Sequence, residues 1–70
     1  MIVYNPLWNT MKAKGITKYQ LVHKHGIPQH TISRMMKNKP TSSMTINDLC
    51  KILNCNVQDI MTFISDKNLE

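Results

Sequence analysis

Seventy residues leave room for one small domain and exclude a two-lobed enzyme. Apolar residues at 41% and charged residues at 19% exclude a disordered chain, and no apolar run reaches the roughly 18 residues of a membrane-spanning helix. The net charge of +5 is unevenly placed: residues 1–39 hold seven cations (Lys12, Lys14, Lys18, Lys24, Arg34, Lys37, Lys39) and no acid, whereas residues 40–70 hold Lys51 and Lys67 against Asp48, Asp59, Asp66 and Glu70, so one half of the chain suits a polyanion.

In chain order, Met1-Ile2-Val3-Tyr4 is at most an extended stub, too short and too poor in basic flanks for a signal peptide, so the cytoplasm is the expected compartment. Tyr4, Leu7, Trp8 and Met11 recur at i, i+3, i+4, i+7 and predict a first helix, with Asn5 as cap, Pro6 at its first position and Lys14-Gly15 at its close. Thr17 and Gln20 have capping-box spacing and open a second helix running to about His25. After the break at Gly26-Ile27-Pro28, Ile27, Ile32, Met35 and Met36 give the inward stripe of a third, starting at Pro28-Gln29. Lys39-Pro40-Thr41-Ser42-Ser43 is the longest loop. Ile46, Leu49, Cys50 and Leu53 predict a fourth helix, opened by Thr45 with Asp48 and closed by Asn54 in the left-handed conformation. Val57, Ile60, Met61 and Ile64, behind Asn56 and Asp59, predict a fifth. The expected fold is all-α, a compact five-helix bundle in one domain over residues 1–70, with its core at about 5–64 and flanking segments 1–4 and 65–70.

The chemistry to look for follows from what is present. No nucleotide-binding loop occurs, and the cationic half lacks an acid to orient a histidine, so no enzyme, cofactor or metal is expected. Cys50 and Cys55, with four residues between them and among apolar neighbours, fit small core hydrophobes better than zinc ligands. Two short helices joined at Gly26 have helix-turn-helix form. On a wheel of about 100° per residue, the face of the third helix opposite its apolar stripe carries His30, Ser33, Arg34 and Lys37, with Gln29 at its tip. Such a face suits a major groove, where side-chain donors and acceptors meet base edges and cations meet phosphates. The plain alternative for these residues is a solvated helix surface, and for Arg34 an ion pair with a neighbouring acid.

Ile16-Thr17-Lys18-Tyr19-Gln20-Leu21 followed by Gly26 through Met35 resembles the helix-turn-helix of the lambda-repressor-like (Cro, phage-repressor or XRE-type) regulators, and Thr45 through Cys55 resembles the fourth helix and turn of that family. The likeness spans about Asn5 to Ile64. It implies a sequence-specific duplex-DNA-binding regulator, a repressor by preference, acting as a homodimer on a near-palindromic operator, with no appended effector domain and regulation by concentration or by a partner protein. Position by position it implies base reading by Gln29, His30 and Ser33, and backbone contacts by Thr17, Lys18, Thr31, Arg34, Lys37, Asn38 and Lys39. Three positions depart from the family pattern: Val22 in place of a usual alanine, His25 in place of a small or apolar residue, read as partly buried, and Pro28 in place of a serine cap. Phe63, off the last apolar stripe, and the stub with Val3 and Tyr4 are the expected dimer contacts. The rival reading is a protein-interaction module of antagonist or antitoxin type that holds its partner with Phe63 and the C-terminal helix.

Overall fold

The computed structural model describes residues 1–65 and runs β1 (Ile2–Val3), α1 (Asn5–Lys14), α2 (Lys18–His23), α3 (Gln29–Met36), α4 (Ser43–Leu53), a single 3-10 turn (Val57–Asp59) and β2 (Thr62–Phe63). The charges at Asp66, Lys67 and Glu70 lie outside the described residues. Among the described residues no helix is long and apolar enough to cross a membrane.

Local chemistry sets most helix ends. At α1, Pro6 occupies the first turn, where a missing amide hydrogen costs nothing, and Tyr4 rather than Asn5 is the cap. At α2 the Gln20 amide donates to Thr17 Oγ1 (3.1 Å) and the Thr17 amide to Gln20 Oε1 (2.9 Å), a complete capping box. α4 starts earlier than its predicted Thr45 box, because Ser42 Oγ accepts from the Thr45 amide (3.2 Å). Pro28 caps α3 with no side-chain bond.

Three helices close the same way. Gly15 (φ 70°), Asn38 (φ 56°) and Asn54 (φ 50°) are left-handed. The amide of the residue after each reaches back five positions: Ile16 to Met11 O (2.9 Å), Lys39 to Arg34 O (3.0 Å) and Cys55 to Cys50 O (3.0 Å). These are Schellman motifs, in which the two residues so joined bring their side chains together, usually as an apolar contact. Only Met11 and Ile16 fit that habit. Arg34 with Lys39 and Cys50 with Cys55 put other chemistry in the same place.

The predicted fifth helix is not there: the described residues form four α-helices. The Val57, Ile60, Met61, Ile64 stripe is used by one 3-10 turn that buries Ile60 completely and leaves Val57 54% exposed. The Asn56 amide donates to the Asp59 carboxylate (3.0 Å), which starts the turn, but the chain then leaves it for β2. Thr62 and Phe63 are β-branched and aromatic, and they pair antiparallel with β1 in the register Ile2 to Phe63 and Val3 to Thr62. Met1 and Ile64 extend the ribbon by exchanging hydrogen bonds. The fold is therefore all-α apart from this ribbon of the two chain ends.

The core is Tyr4, Leu7, Met11, Leu21, Ile27, Ile32, Met35, Leu49, Leu53 and Ile60. α1 packs on α4 and on the 3-10 turn. Leu21 of α2, Ile27 of the turn, and Ile32 and Met35 of α3 all enter that one cluster, which fixes α2 and α3 relative to each other. Met36, expected inward, is 54% exposed. It is adjacent to Met35 and about 100° away on the wheel, so one of the pair must face out.

Candidate nucleic-acid interface

α3 is only two turns long and divides cleanly. Ile32 and Met35 are buried, while Gln29, His30, Ser33, Arg34 and Lys37 are exposed. Together with Lys39 these five line one surface concavity of about 640 Å³. The three expected base readers and three of the expected backbone cations are thus brought to one place. Among the described residues no carboxylate lines that concavity. Among the described residues no acid forms an ion pair with Arg34.

The helix ending gives the concavity its charge. The Schellman motif at Asn38 joins the backbones of Arg34 and Lys39, and both cations line the concavity. Like charges held at such a position repel in the free protein, and a phosphate between them relieves that repulsion. Lys37, in the same turn, adds a third cation.

Asn38 also has a structural task, which sequence did not suggest. Its Oδ1 accepts the Tyr4 amide (3.1 Å), across 34 positions of sequence. It is half-buried and does not line the concavity. Its work is to pin the turn that carries Lys37 and Lys39 to the N-terminal strand. Asn38→Gly keeps the left-handed backbone but removes the acceptor, so it is expected to cost about 1–3 kcal/mol for the orphaned amide. Asn38→Asp, which retains an acceptor, is expected to cost less. Urea unfolding of both variants checks the order, and equal losses would mean the hydrogen bond is not what holds the turn.

Other expected contacts lie elsewhere. Lys18 opens α2, and its Nζ stands 5.0 Å from the centre of the Trp8 ring, within cation–π range. Trp8 is half-buried against the core and therefore a fixed platform for that ammonium. Sequence reasoning saw Trp8 only as core, because nothing in its spacing relates it to a residue of the next helix. The Thr17 side chain is taken up by its capping box and Thr31 is half-buried, so neither belongs to the concavity. His25 is exposed, not partly buried, and Val22 packs on the core between its neighbours. Tyr19, 72% exposed, stacks on His23 at 4.3 Å between ring centres.

The ribbon separates its residues sharply. Val3 and Tyr4 are buried within the subunit at 5% and 3% exposure, whereas Ile2 and Phe63 stand out at 38% and 68%. Phe63 belongs to β2 and not to a C-terminal helix, so the surface on which the interaction-module reading relied does not exist in that form.

A short amphipathic helix with Ile32 and Met35 in the core and a polar, cation-bearing outer face, joined through a Gly turn to α2, has the arrangement of a helix-turn-helix DNA-binding protein of the transcriptional-regulator class. The sequence comparison places it more closely: residues 6–66 match the Cro/C1-type HTH DNA-binding domain, and the chain belongs to that family. The crystal structure of the transcriptional regulator VanUg, form II, is similar over 93% of this chain and 87% of that one, with a TM-score of 0.84 and 26% identity. No curated protein matches. Membership in a DNA-binding family makes the chain a binding protein and not an enzyme.

Proposed function

We propose that this protein is a repressor-type transcriptional regulator that works in the cytoplasm on a near-palindromic operator. Gln29, His30 and Ser33 of α3 meet base edges in the major groove. Arg34, Lys37 and Lys39 hold the phosphates at one end of that helix, and Lys18, steadied by Trp8, holds the strand at the start of α2, where Thr17 and Thr31 lie close to the backbone. Two subunits associate through the exposed Ile2 and Phe63 of the ribbon and read half-sites roughly 34 Å apart.

The observation that supports this most is the convergence of Gln29, His30, Ser33, Arg34, Lys37 and Lys39 on one acid-free concavity. The test is base preference. Gln29→Ala and His30→Ala are each expected to lose about 1–3 kcal/mol of discrimination at one position of each half-site, leaving preference elsewhere intact. Selection of bound duplexes from a random library shows this directly. Unchanged preference in both variants overturns the assignment of the reading residues, and a selected site without two-fold symmetry overturns the dimer.

A further inference from the structure

The Schellman motif that ends α4 joins two cysteines. The Cys55 amide donates to Cys50 O (3.0 Å) and the Asn54 amide to Lys51 O (3.4 Å), with Asn54 left-handed between them. At the end of α1 the same geometry serves a contact between Met11 and Ile16, both of which belong to the core or pack on it. At the end of α4 the two side chains so paired are free thiols. Both are half-exposed and open on one apolar groove of about 600 Å³, with Tyr4, Ile46 and Met61 in its walls. The groove is lined by none of the residues that make up the DNA-facing concavity. Nothing in DNA recognition uses these thiols. Among the described residues no cluster of three metal-ligating side chains exists.

We propose that Cys50 and Cys55 are a reversible dithiol–disulfide site that exchanges with low-molecular-weight disulfides through this groove. Cys50, as thiolate, attacks one sulfur of the small disulfide; that S–S bond breaks, a small thiolate leaves and takes up a proton, and a mixed disulfide remains on Cys50. Cys55 then gives up its proton and attacks the Cys50 sulfur, and the second small thiol leaves. Two protein thiols are oxidised by two electrons, and one small disulfide is reduced to two thiols. Burial, the neighbouring Cys50 and the Asp59 carboxylate raise the Cys55 thiol above its ordinary pKa, with Lys14 pulling the other way. The raised Cys55 is the poorer first nucleophile of the two, which leaves the first attack to Cys50 and the intramolecular step to Cys55. The bridge joins the last turn of α4 to the strand of chain that leads through the 3-10 turn into β2.

The whole chain is equilibrated with oxidised and reduced glutathione in varied ratio, the remaining thiols are alkylated, and the products are weighed by mass spectrometry, once in buffer and once in concentrated urea. The expected product is a monomer lighter by two hydrogens with no alkylatable thiol. Its effective thiol concentration in the folded protein is expected to exceed that in urea by at least about tenfold, because the fold and not mere proximity in sequence aligns the sulfurs. Cys50→Ser and Cys55→Ser are each expected to stop at the glutathione mixed disulfide. An effective concentration no higher in buffer than in urea, or accumulation of mixed disulfides on the wild-type chain, overturns the proposal. DNA affinity is expected to be the same for the bridged and reduced forms, so this result stands or falls independently of the DNA reading.

Discussion

The double variant Arg34→Ala, Lys39→Ala is expected to bind every duplex more weakly, by on the order of 10- to 100-fold near 0.1 M salt, while keeping the wild-type base preference. The reasoning starts from the helix end. With Asn38 in the left-handed conformation the Lys39 amide bonds back to Arg34 O, and both cations line the surface that carries Gln29, His30 and Ser33. Each cation that neutralises a phosphate releases a condensed counterion, so removing two should flatten the plot of log affinity against log salt by roughly 0.9 for each phosphate lost. Phosphate contacts carry no sequence information of their own, which is why preference should survive. An unchanged salt slope in the double variant would show that these cations face solvent in the complex. A slope that flattens with loss of preference would mean that Arg34 reads a base.

Ile32→Ala is expected to remove a large part of the stability while sparing the chemistry of recognition. Ile32 is fully buried on the inner face of α3, in one core cluster with Leu21 and Ile27 of the helix-turn-helix. Cutting such a side chain to alanine costs about 2–5 kcal/mol through lost burial and the cavity left behind. A domain of this size has on the order of 4–10 kcal/mol in all, at about 0.05–0.15 kcal/mol per residue. The variant should therefore melt far below the wild type yet bind DNA in the cold, since its exposed face is untouched. Ile32→Val, which removes a single methylene, should cost only about 0.5–1.5 kcal/mol. Full stability in the alanine variant would contradict the packing of α3 described above; normal stability with lost binding would contradict the division of its two faces.

What could be read from sequence was what local chemistry decides. Gly15 and Asn54 end helices because the left-handed backbone is accessible to them, and Thr17 with Gln20 forms a box over a single turn, so those boundaries were legible from neighbours alone. The exposed face of α3 followed from helical geometry, and the resemblance supplied its meaning. The missing pieces all join residues distant in sequence. A four-residue apolar stripe at 57–64 fits a helix, but pairing with β1 across the full length of the chain turned its end into a strand. That same pairing buried Val3 and Tyr4, which the stub alone presented as surface. The bond from the Tyr4 amide to the Asn38 side chain and the Lys18 ammonium over the core-packed Trp8 ring were hidden for the same reason, since each joins residues of different elements. The Schellman pairs are an intermediate case. Glycine or asparagine at the close was visible, but which residues meet across it depends on the last helical residue, and that is the boundary sequence places least well.

The most direct test of the central claim, that α3 reads a duplex sequence, is selection of bound sites from a random double-stranded library by the wild-type chain at near-physiological salt. The account predicts enrichment of a two-fold symmetric motif with half-site centres roughly one helical turn apart. Recovery of unenriched sequence, with binding that depends on salt alone, would contradict it.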